Sequence, residues 1–154
     1  MLSRNESPTA LHIVQGGIAN GDKKLLERAA LGNQGANSWV VPKSVTIGDD
    51  VVIYIGGFGL FATARIRSLP RPKAGWTNRY GADLDSIRLV EPSVSLAAVR
   101  RRIPKFGWAT YPRSVTTPSA EIATQIRALI EQRRQRGTPE DIDDRALAEA
   151  NTGM

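Results

Sequence analysis

Apolar positions come in short runs along this chain, and glycine or proline closes almost every run. "ALHIVQGG" (10–17) predicts a first strand that ends in a glycine pair. In "NGDKKLLERAAL" (20–31), Leu25, Leu26, Ala29 and Ala30 recur at helical spacing, and Asn20 or Asp22 is placed to cap the helix. "SWVVP" (38–42) predicts a second strand cut short by Pro42. Residues 51–55 and 60–67 are β-rich runs around the glycine turn "GGFG" (56–59), the clearest hairpin signal in the chain. Within the second run Leu60, Ala62, Ala64 and Ile66 alternate with Phe61, Thr63, Arg65 and Arg67, which makes one face basic.

A loop rich in proline, glycine and charge fills 70–85, and "SIRLV" (86–90) predicts a further strand. "SLAAVRRRIP" predicts a short helix capped by Ser95 and stopped before Pro104. Thr117 is placed to cap a last helix with Pro118 at its first position and a stripe of Ile122, Ile126, Leu129 and Ile130. The pattern fades after residue 136. This divides the chain into a domain over 1–136 and an acidic, alanine-rich tail or linker helix over 137–154. Strand, helix, strand, hairpin, strand, helices is an α+β order: a small mixed sheet, curled or closed, surrounded by helices.

Composition narrows the chemistry. The chain has 154 residues, enough for one domain with a core, and 41% of them are hydrophobic. No apolar run approaches the roughly 18 residues of a membrane span, and the first residues lack a secretory apolar stretch. The absence of cysteine excludes disulfide and thiol chemistry and fits a cytoplasmic setting. His12 is the one histidine, which argues against a histidine metal site or a Ser-His-Asp triad. No metal, cofactor or catalytic residue is therefore expected, and the chain reads as a non-enzyme.

Charge is uneven. Residues 65–113 carry eleven basic side chains against three acidic ones, whereas residues 1–64 balance at five each and 114–154 carry five against seven. The net charge of +6 thus sits in an arginine-rich middle, which points to a polyanion partner or, alternatively, to a solvated basic surface with no partner. Arg65, Arg67, Arg79, Arg100, Arg101 and Arg113 are the candidate phosphate contacts. "GGFG" lacks the lysine and helix of a phosphate loop and reads as a hairpin turn. "GDD" (48–50) reads as a turn before a strand rather than a metal site. The aromatics Trp39, Phe58, Phe61, Trp76, Tyr80, Trp108 and Tyr111 stand mostly at strand ends or in loops, where they serve as core lids or as stacking platforms for bases.

The order of "HIVQGG", a helix, "NSWVVP", "GDDVVIYI" and "GLFATARIRSLP" resembles the EVE-like and YTH-like branch of the PUA superfamily. The stretch from "RYGADLDSIRLVEPSVSL" to "SAEIATQIRALI" is similar to EVE-type modules fused to HNH nucleases in modification-dependent restriction proteins. The resemblance covers roughly residues 10–136 and implies a PUA-like barrel. By position it implies a pocket for a modified base, with Gln15, Gly16 and Gly17 at the first-strand end and Asn37, Ser38 and Trp39 at the second-strand opening. YTH readers carry asparagine and serine where this chain has Gly16 and Gly17, so base-edge hydrogen bonds fall to backbone groups, Gln15 or Asn37. Phe58, Trp76 and Tyr80 are the candidates for further pocket walls.

The expectation that follows is a DNA-binding reader that flips a modified base into an aromatic pocket. A modified cytosine such as 5-methylcytosine or 5-hydroxymethylcytosine is preferred, as the specificity domain of a restriction system, with an HNH nuclease supplied in cis or in trans. With one histidine the HNH metal site cannot be built from these residues. The alternatives are an RNA-binding PUA-like module and a non-catalytic protein-interaction domain.

Overall fold

A computed structural model of the chain describes residues 9–75, 77–112 and 115–136. Trp76, Arg113 and the tail over 137–154 lie outside the described residues. Among the described residues six strands form one mixed sheet: β1 (Leu11–Gly16), β2 (Ala36–Val41), β3 (Asp50–Ile55), β4 (Gly59–Ile66), β5 (Arg71–Pro72) and β6 (Tyr80–Val94). The helices are α1 (Asp22–Gly32), α2 (Leu96–Arg102) and α3 (Ala120–Arg136), with a 3₁₀ turn over Gly107–Ala109. The strand order is β1-β3-β4-β6-β2, with β5 paired to β6. β1 and β3 run parallel; the other pairs are antiparallel. No described helix is long and apolar enough to cross a membrane.

Helices cover the sheet on both sides, and this explains the unbroken apolar run "VVIYI" in β3. Val51, Ile53 and Ile55 pack on one side with Leu26 and Ala29 of α1, Val14, Trp39 and Leu84. Val52 packs on the other with Leu11, Ile13, Val99 of α2, and Ile126, Leu129 and Ile130 of α3. Trp108 belongs to this second layer as a half-buried lid: it stacks on Phe106 at 5.6 Å and meets Tyr54 edge-on at 5.4 Å. The 56–59 turn closes with Gly59 at φ 92°, where a Cβ would lie 2.0 Å from the carbonyl oxygen of Val94.

Three elements differ from the expected pattern. The predicted loop over 70–85 holds the two-residue β5 and the first part of β6, a strand of fifteen residues that pairs with β2, β4 and β5. Asp22 does not cap α1, whose N-cap is Gly21; its carboxylate instead accepts the Gly17 N–H at 2.8 Å. Ser119, not Thr117, accepts the first-turn N–H of Ile122 in α3. Thr117 goes elsewhere. Its Oγ1 lies 2.7 Å from His12 Nδ1, and His12 Nε2 lies 2.8 Å from Asp49 Oδ2. The histidine, 2% exposed, thus ties the lead-in of α3 to the turn before β3.

Replacing His12 by alanine leaves the Asp49 carboxylate with the Thr46 N–H but without its imidazole partner, and opens a void, and is expected to cost about 2–4 kcal/mol of stability in urea unfolding. A loss below about 0.5 kcal/mol contradicts this role for the histidine.

Candidate nucleic-acid interface

β1 and β2 stand at the two ends of the strand order and are not paired to each other as strands. The curl of the sheet brings them near, leaving a seam. An edge strand exposes unpaired backbone groups, and β1 satisfies its own one by one. Ile13 exchanges both backbone bonds with Thr116, at 2.8 and 2.9 Å. Two residues on, the Gln15 carbonyl accepts the indole N–H of Trp39 at 3.1 Å. Trp39 therefore crosses the seam from β2 and pins it, with 8% of its surface exposed. Its ring lies directly behind Gly16: a Cβ on that glycine would stand 3.1 Å from Trp39 Cζ2 and 3.2 Å from Asp22 Cβ.

A β-bulge aims the tryptophan. The register of β2 against β6 shifts between Ala36 and Trp39, and Ser38 adopts φ 57°, unusual for a residue with a side chain. The extra residue puts Ala36 and Trp39 on the same buried side although they are three positions apart. The bulge is held from outside. Ser38 N–H donates to Asp83 Oδ1 at 2.9 Å, Lys73 Nζ donates to the Ser38 carbonyl at 2.9 Å, and Arg71 donates to the same Asp83 oxygen at 2.9 Å. The Ser38 N–H, followed by Arg71 and the charge of Arg67, holds the Asp83 carboxyl below its ordinary 3.8 against a smaller opposing effect of burial.

Beyond the Trp39 pin the seam opens into a cavity of about 650 Å³. Gln15, Gly16, Gly17, Asn20 and Asp22 line it from the β1 side, Val40 to Lys43 from the end of β2, and Asn78, Arg79, Tyr80 and Val115 complete it. Its polar groups offer an acceptor-only carboxylate in Asp22 and amides in Gln15, Asn20 and Asn78. Tyr80 is its aromatic wall, and Lys43 Nζ lies 5.5 Å from that ring centroid.

The expected site residues divide accordingly. Gln15, Gly16, Gly17, Tyr80 and Arg79 meet at this cavity. Trp39 stands behind its Gly16 wall rather than on its surface. Asn37 and Ser38 belong to the exposed bulge, where Asn37 Oδ1 accepts from Arg67 at 2.7 Å. Phe58 is not brought here. It sits in the β3–β4 turn, 6.1 Å from the Phe61 ring and 5.1 Å from Lys23 Nζ. Arg100 donates to the Ala109 carbonyl at 3.1 Å, Arg101 is exposed on α2, and Arg65 faces a separate cleft beside α3. Trp76 and Arg113 lie outside the described residues. Asn20, Asp22, Lys43 and Asn78 were missed as site residues. Only their proximity to the glycine pair and to Tyr80 in sequence hinted at them.

No protein-family model matches the chain, and no curated protein matches it in sequence. Solved structures do. A hypothetical protein from Leishmania major superimposes with a TM-score of 0.64 at 14% identity, over 82% of this chain and 98% of that one. Protein Atu2648 from Agrobacterium tumefaciens gives 0.63 at 15%, over 79% and 93%. Human THYN1, crystallised in complex with DNA containing 5-methylcytosine, gives 0.59 at 11%, over 80% and 98%. The fold is PUA-like. At these identities the likeness concerns the path of the backbone.

Two predictions test this geometry. Trp39→Phe keeps most of the ring but leaves the Gln15 carbonyl without its donor, and is expected to cost about 1–3 kcal/mol in urea unfolding; an unchanged midpoint contradicts the pin. Because the Asp83 carboxyl sits below its ordinary value in the folded protein, its contribution to stability is complete above pH 3.8 and is lost as pH falls through its lower folded value. Asp83→Asn is expected to flatten that acid limb in urea titrations, and an acid limb as steep as wild type contradicts it.

Proposed function

We propose that this chain is a DNA-binding reader that takes a single modified base, a modified cytosine, into the cavity at the β1–β2 seam. The observation that carries the reading is the cavity itself. It is concave, falls within the roughly 300–1,000 Å³ of ligand sites, and combines one aromatic wall with convergent hydrogen-bonding groups. The human THYN1 structure, which holds DNA containing 5-methylcytosine on a backbone of the same fold, supports it.

The chemistry suits an extrahelical base. Asp22, an acceptor only, pairs with an exocyclic amino group such as the cytosine N4 donor. Gln15, Asn20 and Asn78 supply both donors and acceptors for the rest of the base edge. Tyr80 offers a stacking face once the flexible Lys43 leaves the ring, and Lys43 and Arg79 are then free to meet the flanking phosphates. Flipping a base costs a few kcal/mol and stacking returns about 1–3, so phosphate contacts supply the remainder. An added methyl contributes only about 0.8 kcal/mol, roughly fourfold, whereas a hydroxymethyl group that reaches Asn20 or Asn78 discriminates more strongly. In this reading the module sets the specificity of a modification-dependent restriction system and a nuclease partner does the cutting.

The test is a binding titration at fixed salt with duplexes that differ in one modified cytosine, alongside an RNA competitor of the same sequence. Tighter binding of a modified duplex is expected, with the preference lost in Tyr80→Ala. Arg79→Gln is expected to weaken all duplexes alike. Equal affinity for modified and unmodified duplexes overturns the reading, and preferential competition by RNA replaces it with the RNA-binding one.

A further inference from the structure

A second cavity, of about 530 Å³, lies between α3 and the strands β3, β4 and β6. It opens at the other end of β1 from the seam cavity: Leu11 lines this one, Gln15 and Gly16 the other, and the four to five steps between them along the strand span about 13–17 Å. Four guanidinium groups line it, Arg65 from β4, Arg88 from β6, and Arg127 and Arg134 from α3. Two carboxylates, Asp50 and Glu131, stand against them, which leaves an excess of two positive charges.

The pairs are unequally satisfied. Arg127 donates to Asp50 and, at 2.7 Å, to the Thr9 carbonyl, and Arg65 reaches Asp50 at 3.4 Å. Burial works against the Asp50 charge, but the donors Arg127, Thr9 and Arg65 together hold its carboxyl below the ordinary value. That carboxylate is therefore fully engaged. On the other side, Arg134 lies half-buried, its Nη2 held by Thr63 Oγ1 at 2.7 Å and by the carbonyls of Arg88 and Leu89 at 3.2 and 3.3 Å. Its Nε is buried without a hydrogen-bond partner among the described residues. Burial first, then the neighbouring Arg88 charge, makes the Arg134 guanidinium easier to deprotonate, with Glu131 opposing. Arg88 itself is exposed, and its guanidinium makes no hydrogen bond or ion pair among the described residues. Two cations thus face each other beside an apolar floor of Val51 and Ala64, an arrangement that repels itself until an anion enters.

We infer that this cleft is a phosphate-binding site, in which Arg88 and Arg134 clamp the phosphate oxygens while Arg65 and Arg127, fixed by Asp50, complete the positive field. Guanidinium forks match phosphate bidentately, and the flanking Thr63 hydroxyl, which accepts from Arg134, keeps its own proton to donate. The phosphate is that of a nucleic-acid backbone or of a free phosphate compound. The inference does not rest on base reading, because backbone contacts carry no sequence information. A duplex bound equally with and without a modified base leaves it intact.

The experiment compares the full chain with Arg88→Gln, whose exposed side chain holds nothing in the fold, and with Arg28→Gln on α1 as a charge-matched control outside the cleft. In the first arm, an unmodified duplex is titrated across salt. If the backbone is the ligand, Arg88→Gln lowers the salt slope by about one, so that the loss of affinity between roughly 50 and 200 mM salt shrinks about threefold to fourfold, and Arg28→Gln leaves it unchanged. In the second arm, inorganic phosphate replaces chloride at matched ionic strength. If a free phosphate is the ligand, phosphate raises the melting temperature of wild type and Arg28→Gln but not of Arg88→Gln. Arg88→Gln behaving as wild type in both arms overturns the inference.

Discussion

One hydrogen bond organises the seam end of this molecule: the indole N–H of Trp39 on the Gln15 carbonyl. A curled sheet whose end strands do not pair must satisfy its free edges or lose the curl. Here the edge of β1 is met first by Thr116 at Ile13 and then by Trp39 at Gln15. Past these two ties lie Gly16 and Gly17, and that is where the cavity opens. The cavity is therefore a consequence of how far the seam is closed. Gly16 is small for the same reason, since the ring that closes the seam occupies the space a side chain would need.

The tie depends in turn on an exposed polar network. A buried tryptophan at the mouth of a strand requires the bulge at Asn37–Ser38, and the bulge requires Asp83, Lys73 and Arg71 to hold its strained backbone. Arginines of the basic middle thus have different duties. Arg71 and Arg67 brace the bulge, Arg79 stands at the seam cavity, and Arg65 and Arg88 turn towards α3. A net positive charge read from sequence does not distinguish these, because bracing and ligand-facing guanidiniums look alike until their partners are known.

Much of the fold was legible because it rests on local rules. The hairpin over β3 and β4 follows from two β-rich runs around a glycine turn, and the Ser95 cap of α2 is present, its Oγ accepting the Ala98 N–H at 3.1 Å. What failed depended on contacts distant in sequence. Period-two reasoning cannot place Ala36 and Trp39 on one face, so the sequence left Trp39 open between a core lid and a stacking platform and did not show its tie to Gln15. The polar start of β6, with Gly81, Asp83 and Asp85, read as loop because its pairing with β2 and β5 supplies what its composition lacks. The apolar stripe of the last helix was read only as far as Ile130, yet Arg133 continues the buried stripe of Ile126 and Ile130, its charge met by the carbonyls of Pro92 and Ser93 at 2.8 and 2.7 Å. Asp22 does begin α1, as its sequence context indicates, but its carboxylate turns back to the Gly17 N–H and lines the cavity, a contact that no local pattern announces.

Entry of a base into the opening left by the Trp39 tie can be followed through backbone amide and indole N–H resonances while a duplex with one modified cytosine is added, and again with its unmodified counterpart. Gly16, Gly17, Tyr80 and the Trp39 indole N–H are expected to shift with the modified duplex and not with the other. Identical shifts from both duplexes, or shifts confined to the arginine faces, contradict it.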